Sequence, residues 1–158
     1  MKEQSVHLVE LTQGDGPNCF TILNDKMVKR YCNHVYIENI HNIPKFLHKV
    51  TNKSECLSYK IVNQLNKVVG IIIGEITGET IGITYVIGKE YRNKGYAKKA
   101  IIALVEDVQN MNYYTELFFL VNKHNLYSRK VIEYLNPKQE ELFFKGSLYI
   151  LYSKKISR

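Results

Sequence analysis

The chain has 158 residues, with 22 Lys and Arg against 15 Asp and Glu for a net charge of +7, and is 45% hydrophobic and 23% charged. That length and make-up suit one folded domain over residues 1–158 and exclude a disordered tail or a fibre. The longest nearly unbroken apolar stretch, 68–73, falls far short of the roughly 20 residues a membrane-spanning helix needs.

No apolar stretch follows Met1-Lys2-Glu3-Gln4 to make a secretory leader. Cys19, Cys32 and Cys56 are odd in number and widely spaced, which offers neither a disulfide framework nor a zinc cage. Free thiols in the cytoplasm are therefore expected. The basic excess is spread along the chain, with one small cluster at residues 154–158 and no helix-turn-helix, RNP or zinc-finger pattern. This disfavours nucleic acid and leaves room for a small anionic ligand.

The first forty residues are the least regular. Gly14-Asp15-Gly16-Pro17 signals a turn, and Asn24 or Asp25 is a suitable N-cap for a short helix carrying Met27, Val28 and Tyr31. A second helix starts near Ile43-Pro44 and packs through Phe46, Leu47 and Val50. From Leu57 the apolar period becomes two: a strand over 57–65, a turn at Asn66-Lys67, a strand over 68–75, a turn at Thr77-Gly78 and a strand over 80–87. These make an antiparallel meander. Within it, the Gly70, Gly74, Gly78 spacing is that of strand and hairpin glycines.

Ala97, Ala100, Ile101, Leu104, Val105 and Val108 then recur at helical spacing, with Lys98, Lys99, Glu106 and Asp107 facing water. Residues 116–121 read as a buried strand, parallel to 80–87 if adjacent to it. A helix over 125–135 stops at Asn136-Pro137, and strands 142–144 and 148–152 flank Gly146. His34, His41 and His48 fall every seventh residue, but Pro44 interrupts them and no fourth ligand pattern appears, so no metal is expected.

The most informative residues are Arg92, Asn93, Lys94, Gly95, Tyr96 and Ala97, between a strand and a long helix. A helix N-terminus presents unpaired N–H groups and partial positive charge, which suits a phosphate. Gly95 lets a ligand approach the backbone, and Arg92 and Lys94 add charge. No Gly-Lys-Ser/Thr and no GxGxxG is present, so ordinary nucleoside-triphosphate and dinucleotide loops are excluded. The pattern Arg92-x-x-Gly95-x-Ala97 resembles the acetyl-CoA loop of the GCN5-related N-acetyltransferases (GNAT). Asn125-x-x-Ser128, followed by Val131, Ile132 and Leu135, is similar to a segment of the ribosomal-protein N-terminal acetyltransferase (RimJ/RimL-like) branch of that family. So is Leu23-Asn24-Asp25 before a short helix. The Gly-Phe that usually ends the branch's segment is Asn136-Pro137 here.

The resemblance implies an α+β GNAT fold: a central mixed, mostly antiparallel sheet with a βαβ acetyl-CoA-binding core and flanking helices. It implies that the strands ending at Ile87 and starting at Glu116 splay around the pantetheine arm. The backbone of Tyr85, Val86 and Ile87 would pair with its amides, and an N–H at Val86 or Ile87 would serve as oxyanion donor. The loop 92–97, Asn125 and Ser128 complete the implied cofactor contacts.

The implied reaction transfers an acetyl group from acetyl-CoA to a primary amine by direct attack, so the amine must lose a proton and the thiolate gain one. Glu79 is the carboxylate put forward as base, with Glu75 and Glu90 as alternatives, because the position where many relatives carry Glu falls at Gly82. Ser128 is put forward as acid, with Tyr127 or Tyr134 as substitutes, because the relatives' Tyr falls at Ile132. The acceptor is open among a protein N-terminus, a polyamine, an aminoglycoside and another small amine, though the +7 charge weighs against polycations. A CoA-binding domain without turnover is the alternative. A homodimer is left open.

Overall fold

The computed structural model describes residues 5–156; Met1 to Gln4, and Ser157 and Arg158 of the C-terminal basic cluster, lie outside them. In chain order the elements are β1 (Val6–Glu10), α1 (Gly16–Leu23), α2 (Lys26–Tyr31), α3 (Ile43–Val50), β2 (Cys56–Asn63), β3 (Val68–Thr77), β4 (Thr80–Ile87), α4 (Tyr96–Met111), β5 (Glu116–Asn122), α5 (Leu126–Glu133), β6 (Lys138–Phe144) and β7 (Ser147–Lys155). The meander, the long amphipathic helix and the following strand stand where the periodicity placed them.

Two elements had no counterpart in the sequence pattern. The residues read as a turn, Gly16 and Pro17, open α1, whose Cys19, Ile22 and Leu23 are buried. Proline is tolerated in a first helical turn, where its missing N–H would be unpaired anyway. β1 is an edge strand in which only Val6 and Leu8 alternate inward, too short a run to carry a period. β6 extends back to Lys138 through exposed polar residues because β7 offers it a continuous ladder, from Lys138 opposite Ser153 to Phe144 opposite Ser147.

The strands form one seven-stranded sheet in the order β1-β2-β3-β4-β5-β7-β6. Every neighbouring pair is antiparallel except β4 and β5. That parallel pair spans only Thr80 opposite Glu116, Ile81 opposite Leu117 and Gly82 opposite Phe118. Beyond Gly82 the two strands leave a wedge between them.

Both faces of the sheet are covered. On one, α4 and α5 bury Ala100, Ile101, Leu104 and Ile132 against Ile72 and Phe119. On the other, α1 to α3 bury Leu23, Val28 and Leu47 against Ile71, Ile73 and Val86. Ile61 pairs with Gly70 and Val62 with Val68, so Val69 is an extra residue in β3 and turns to the α4 face along with Ile72. Such a bulge resets the alternation of a strand. Among the described residues no helix is long and apolar enough to cross a membrane, and no group of three or more His, Cys, Asp or Glu is placed to hold a metal ion.

The helical layer is tied to the sheet by Asp15, which is 7% exposed. Its Oδ1 accepts from Lys60 Nζ at 2.8 Å, and its Oδ2 from Thr12 N at 2.8 Å and Thr12 Oγ1 at 3.1 Å. Burial pushes this carboxyl upward, but Lys60 and Thr12 outweigh it and hold it below the usual carboxylate range. A depressed folded-state value contributes stability that is complete above the unfolded pKa of about 3.9 and is lost as pH falls through the folded value. The melting temperature should therefore drop steeply below about pH 4. Asp15→Asn should lower stability at neutral pH by about 2 kcal/mol and flatten that acid limb, which urea melts across pH would reveal.

Candidate functional site

β4 leads through a 3-10 turn, Lys89–Tyr91, into the loop that precedes α4. Arg92 does not present its charge to solvent. Its Nη2 lies 2.9 Å from Asp25 Oδ1 and its Nε donates to Ile87 O at 3.1 Å. Asp25, of the two candidate caps, is the one that caps α2, accepting from Met27 N at 2.9 Å and Val28 N at 3.3 Å. Burial would raise the Asp25 carboxyl, but Arg92 and the two N–H groups hold it low. The charge expected of Arg92 is thus committed to locking α2 against the loop.

Gly95 is the N-cap of α4 with φ +83, a left-handed conformation that favours glycine, and no side chain caps the helix there. The first N–H groups of α4 therefore have no side-chain partner at the cap. Tyr96 and Ala97 face inward, at 4% and 1% exposure. Tyr96 OH accepts from Asn63 Nδ2 at 3.3 Å, and Asn63 Oδ1 accepts from Leu65 N and Lys67 N, fastening the loop to the β2–β3 turn. A ligand at this end would meet backbone flanked by Asn93, Lys94 and Lys98, all exposed. Lys98 Nζ lies 3.5 Å from the centre of the Tyr134 ring.

Three cavities run in series along the wedge. The first, about 310 Å³, extends from Arg92 and Asn93 past Val86 and Ile87 to Tyr85 and Ser128, with Tyr127 also on its wall. The side chains of Val86 and Ile87 are buried, each 7% exposed, so their polar contribution is backbone. The second is a neck of about 30 Å³ that shares Cys32, Tyr85, Asn125 and Ser128 with the first. The third, about 460 Å³, shares His34, Ile83, Thr84 and Leu120 with the neck.

At the neck, Tyr85 OH and Ser128 Oγ are 2.5 Å apart. Burial raises the Tyr85 phenol well above its ordinary value, so it keeps its proton. Asn125 Oδ1 accepts from Ser128 N at 3.3 Å and caps α5. Ile132 is fully buried beside them. Tyr85, expected to act through backbone alone, thus brings a second hydroxyl, from β4, to the Ser128 hydroxyl of α5. Burial pushes the Cys32 thiol to about 11, so at neutral pH it is protonated and unsuited to nucleophilic attack.

The carboxylates separate clearly. Glu79 sits in the β3–β4 turn, its carbonyl accepting from Thr115 N at 2.8 Å, and Glu90 sits in the 3-10 turn; neither lines these three cavities. Glu75 lines the third cavity. It stands directly opposite Gly82 in the ladder, where a Cβ would meet nothing within 4 Å, so glycine leaves open space beside it. His34 Nε2 lies 3.1 Å from Thr84 Oγ1 at the mouth of the neck. Sequence reasoning missed Tyr85 as a side chain, Asp25 as the partner of Arg92, and His34. The Glu75–Gly82 pairing was available from the hairpin turn at Thr77-Gly78, which sets the register.

The sequence matches the family model described as an acetyltransferase (GNAT) domain over residues 5–136. No curated protein matches it. Among solved structures, a spermidine N-acetyltransferase from Vibrio cholerae with CoA and spermine superposes with a TM-score of 0.83 at 15% identity, covering 96% of each chain. A ribosomal alpha-N-protein acetyltransferase, RimL, with coenzyme A gives 0.82 at 14% identity, covering 96% of this chain and 94% of that one. An aminoglycoside acetyltransferase with coenzyme A gives 0.81 at 16%, covering 96% and 95%. At these identities the likeness is one of fold.

Asp25 both caps α2 and pairs with Arg92, so Asp25→Ala should lower stability by about 2 kcal/mol in urea unfolding. Arg92→Lys should not restore a wild-type midpoint, because an ammonium cannot reproduce the guanidinium's separate donors to Asp25 and Ile87 O.

Proposed function

The chain belongs to the GNAT acetyltransferase family, a family of acyltransferases with a mixed α+β fold, and we propose on that premise that it transfers an acetyl group from acetyl-CoA to a primary amine by direct attack. The observation that carries this reading is the first cavity, which runs from Arg92 and Asn93, in the loop that leads into α4, to the Tyr85–Ser128 pair.

The residues present fit such a ligand. The uncapped N–H groups at the start of α4, with Lys94 and Lys98 beside them, would hold the pyrophosphate. The backbone of residues 85–87, left without a β5 partner by the splay, would pair with the pantetheine amides. Asn125 and Ser128 bound the far end of the cleft. When bound, acetyl-CoA supplies a thioester that an amine can attack.

The chain's own groups then have distinct tasks. A backbone N–H at Val86 or Ile87 meets negative charge developing on the carbonyl oxygen. Tyr85, kept protonated by burial and bonded to Ser128, holds a proton where the cleft narrows, ready for the departing sulfur. Of the two protons an ammonium acceptor sheds in becoming an amide, one ends on the thiol and the other in solvent. The protonated Cys32 supports direct attack over an acetylated enzyme.

Saturating CoA should raise the melting temperature, and failure to do so would overturn the reading. Tyr85→Phe should lower kcat for thiol release by roughly 100-fold while leaving CoA affinity unchanged, as calorimetry would show. CoA binding without thiol release for any amine would favour a binding domain without turnover.

A further inference from the structure

The third cavity carries three charged side chains with no hydrogen bond or ion pair to any described residue: Glu75 from β3, Arg30 from α2 and Lys145 from the β6–β7 turn. Arg30 lies over the Tyr31 ring at 5.1 Å and Lys145 over the Phe144 ring at 5.3 Å, contacts that position a cation without neutralising it. The rest of the wall is largely apolar, with Phe118, Leu120 and Tyr149. The volume is that of a small-molecule site.

The cavity joins the neck through His34 and Thr84, so a ligand seated in it can direct one end toward the Tyr85–Ser128 pair. His34 adds no further cation near pH 7. Packing around the ring lowers its pKa; Glu75 opposes that effect while Lys49 and Lys145 reinforce it. Around His34 the charges are thus one carboxylate, Glu75, and two cations, Lys49 of α3 and Lys145 of the β6–β7 turn, and Arg30 of α2 lines the same cavity.

A polyamine or aminoglycoside needs several carboxylates. Here it would meet one, with Arg30 and Lys145 facing its remaining charges. We propose that the acceptor is an amine carrying its own anionic group on a small, partly apolar body, with Glu75 taking the ammonium and Arg30 and Lys145 the anion. This rests on the acetyltransferase reading above. The anion is a carboxylate or phosphate, supplied either by a free amino acid or by an acidic peptide with a free amino terminus.

The test uses the full chain with acetyl-CoA and four amines: glutamate, the peptide Glu-Glu-Ala, n-butylamine and spermidine. Thiol release gives kcat/KM, and calorimetry on the CoA-saturated protein gives binding independently of turnover. At least one of the two anionic amines should exceed butylamine and spermidine by about tenfold or more in kcat/KM, and which one does so separates the free amino acid from the peptide. Lys145→Glu should abolish that preference without changing CoA affinity, and Glu75→Gln should weaken every amine. Preference for spermidine, an unchanged preference in Lys145→Glu, or no calorimetric binding of either anionic amine would overturn the proposal. Loss of CoA binding in the wild-type chain would instead overturn the acetyltransferase reading itself.

Discussion

The constraint on which the rest of the structure depends is the early end of the β4–β5 ladder. Parallel pairing stops after Gly82 and Phe118, although both strands continue. Backbone N–H and C=O groups are costly to leave unpaired away from water, so a wedge opened inside a sheet is stable only where it is wet or filled. Here it is lined from both sides and continues into cavities on either side of a neck. The gap in the sheet's hydrogen bonding is thus also a place where two cavities adjoin through a neck.

Holding that wedge open requires its walls to be fixed independently of each other. β4 is held by an unbroken ladder to β3, and β5 by one to β7. The wall built from α2 has no ladder, and charge does the corresponding work. Asp25 caps α2 and binds Arg92, whose Nε reaches back to the carbonyl of Ile87 at the end of β4. One ion pair therefore ties α2 to the loop at the cleft mouth, and Arg92, a wall residue of the first cavity, is also a brace. At the start of α4, Gly95 leaves N–H groups without a side-chain cap.

The legibility of this molecule in its sequence follows from which signals are local. Strands 57–87 and helix 96–111 announce themselves because the strands are buried over most of their residues and the helix along one face. β1 and β6 lie at the sheet's edges, where burial is slight and the partner strand imposes the structure. α1 was hidden by Gly16 and Pro17, residues that suit a turn and a helix start equally well. The loop at Gly95 was readable because a positive φ at a helix start demands a particular residue, whereas Arg92's partner lies 67 positions away and no local pattern could reveal it.

The same distinction bears on Gly82 and Ile132, the two positions where a family pattern leads one to expect a carboxylate and a phenol. Judged by position alone, both groups are missing. Judged by space, a carboxylate and a phenol do stand nearby: Glu75 lies opposite Gly82 on the neighbouring strand, and Tyr85 OH reaches Ser128 at the neck that Ile132 helps to wall. A glycine on β4 leaves the cavity open to a side chain from β3, and burial raises the Tyr85 phenol above its ordinary value in a neck that Ile132 of α5 helps to line. A site is a set of atoms at a place, and a sheet can deliver the same atom type from either of two adjacent strands. The absence of a residue from its usual position is therefore weak evidence for loss of activity until its ladder partner has been inspected.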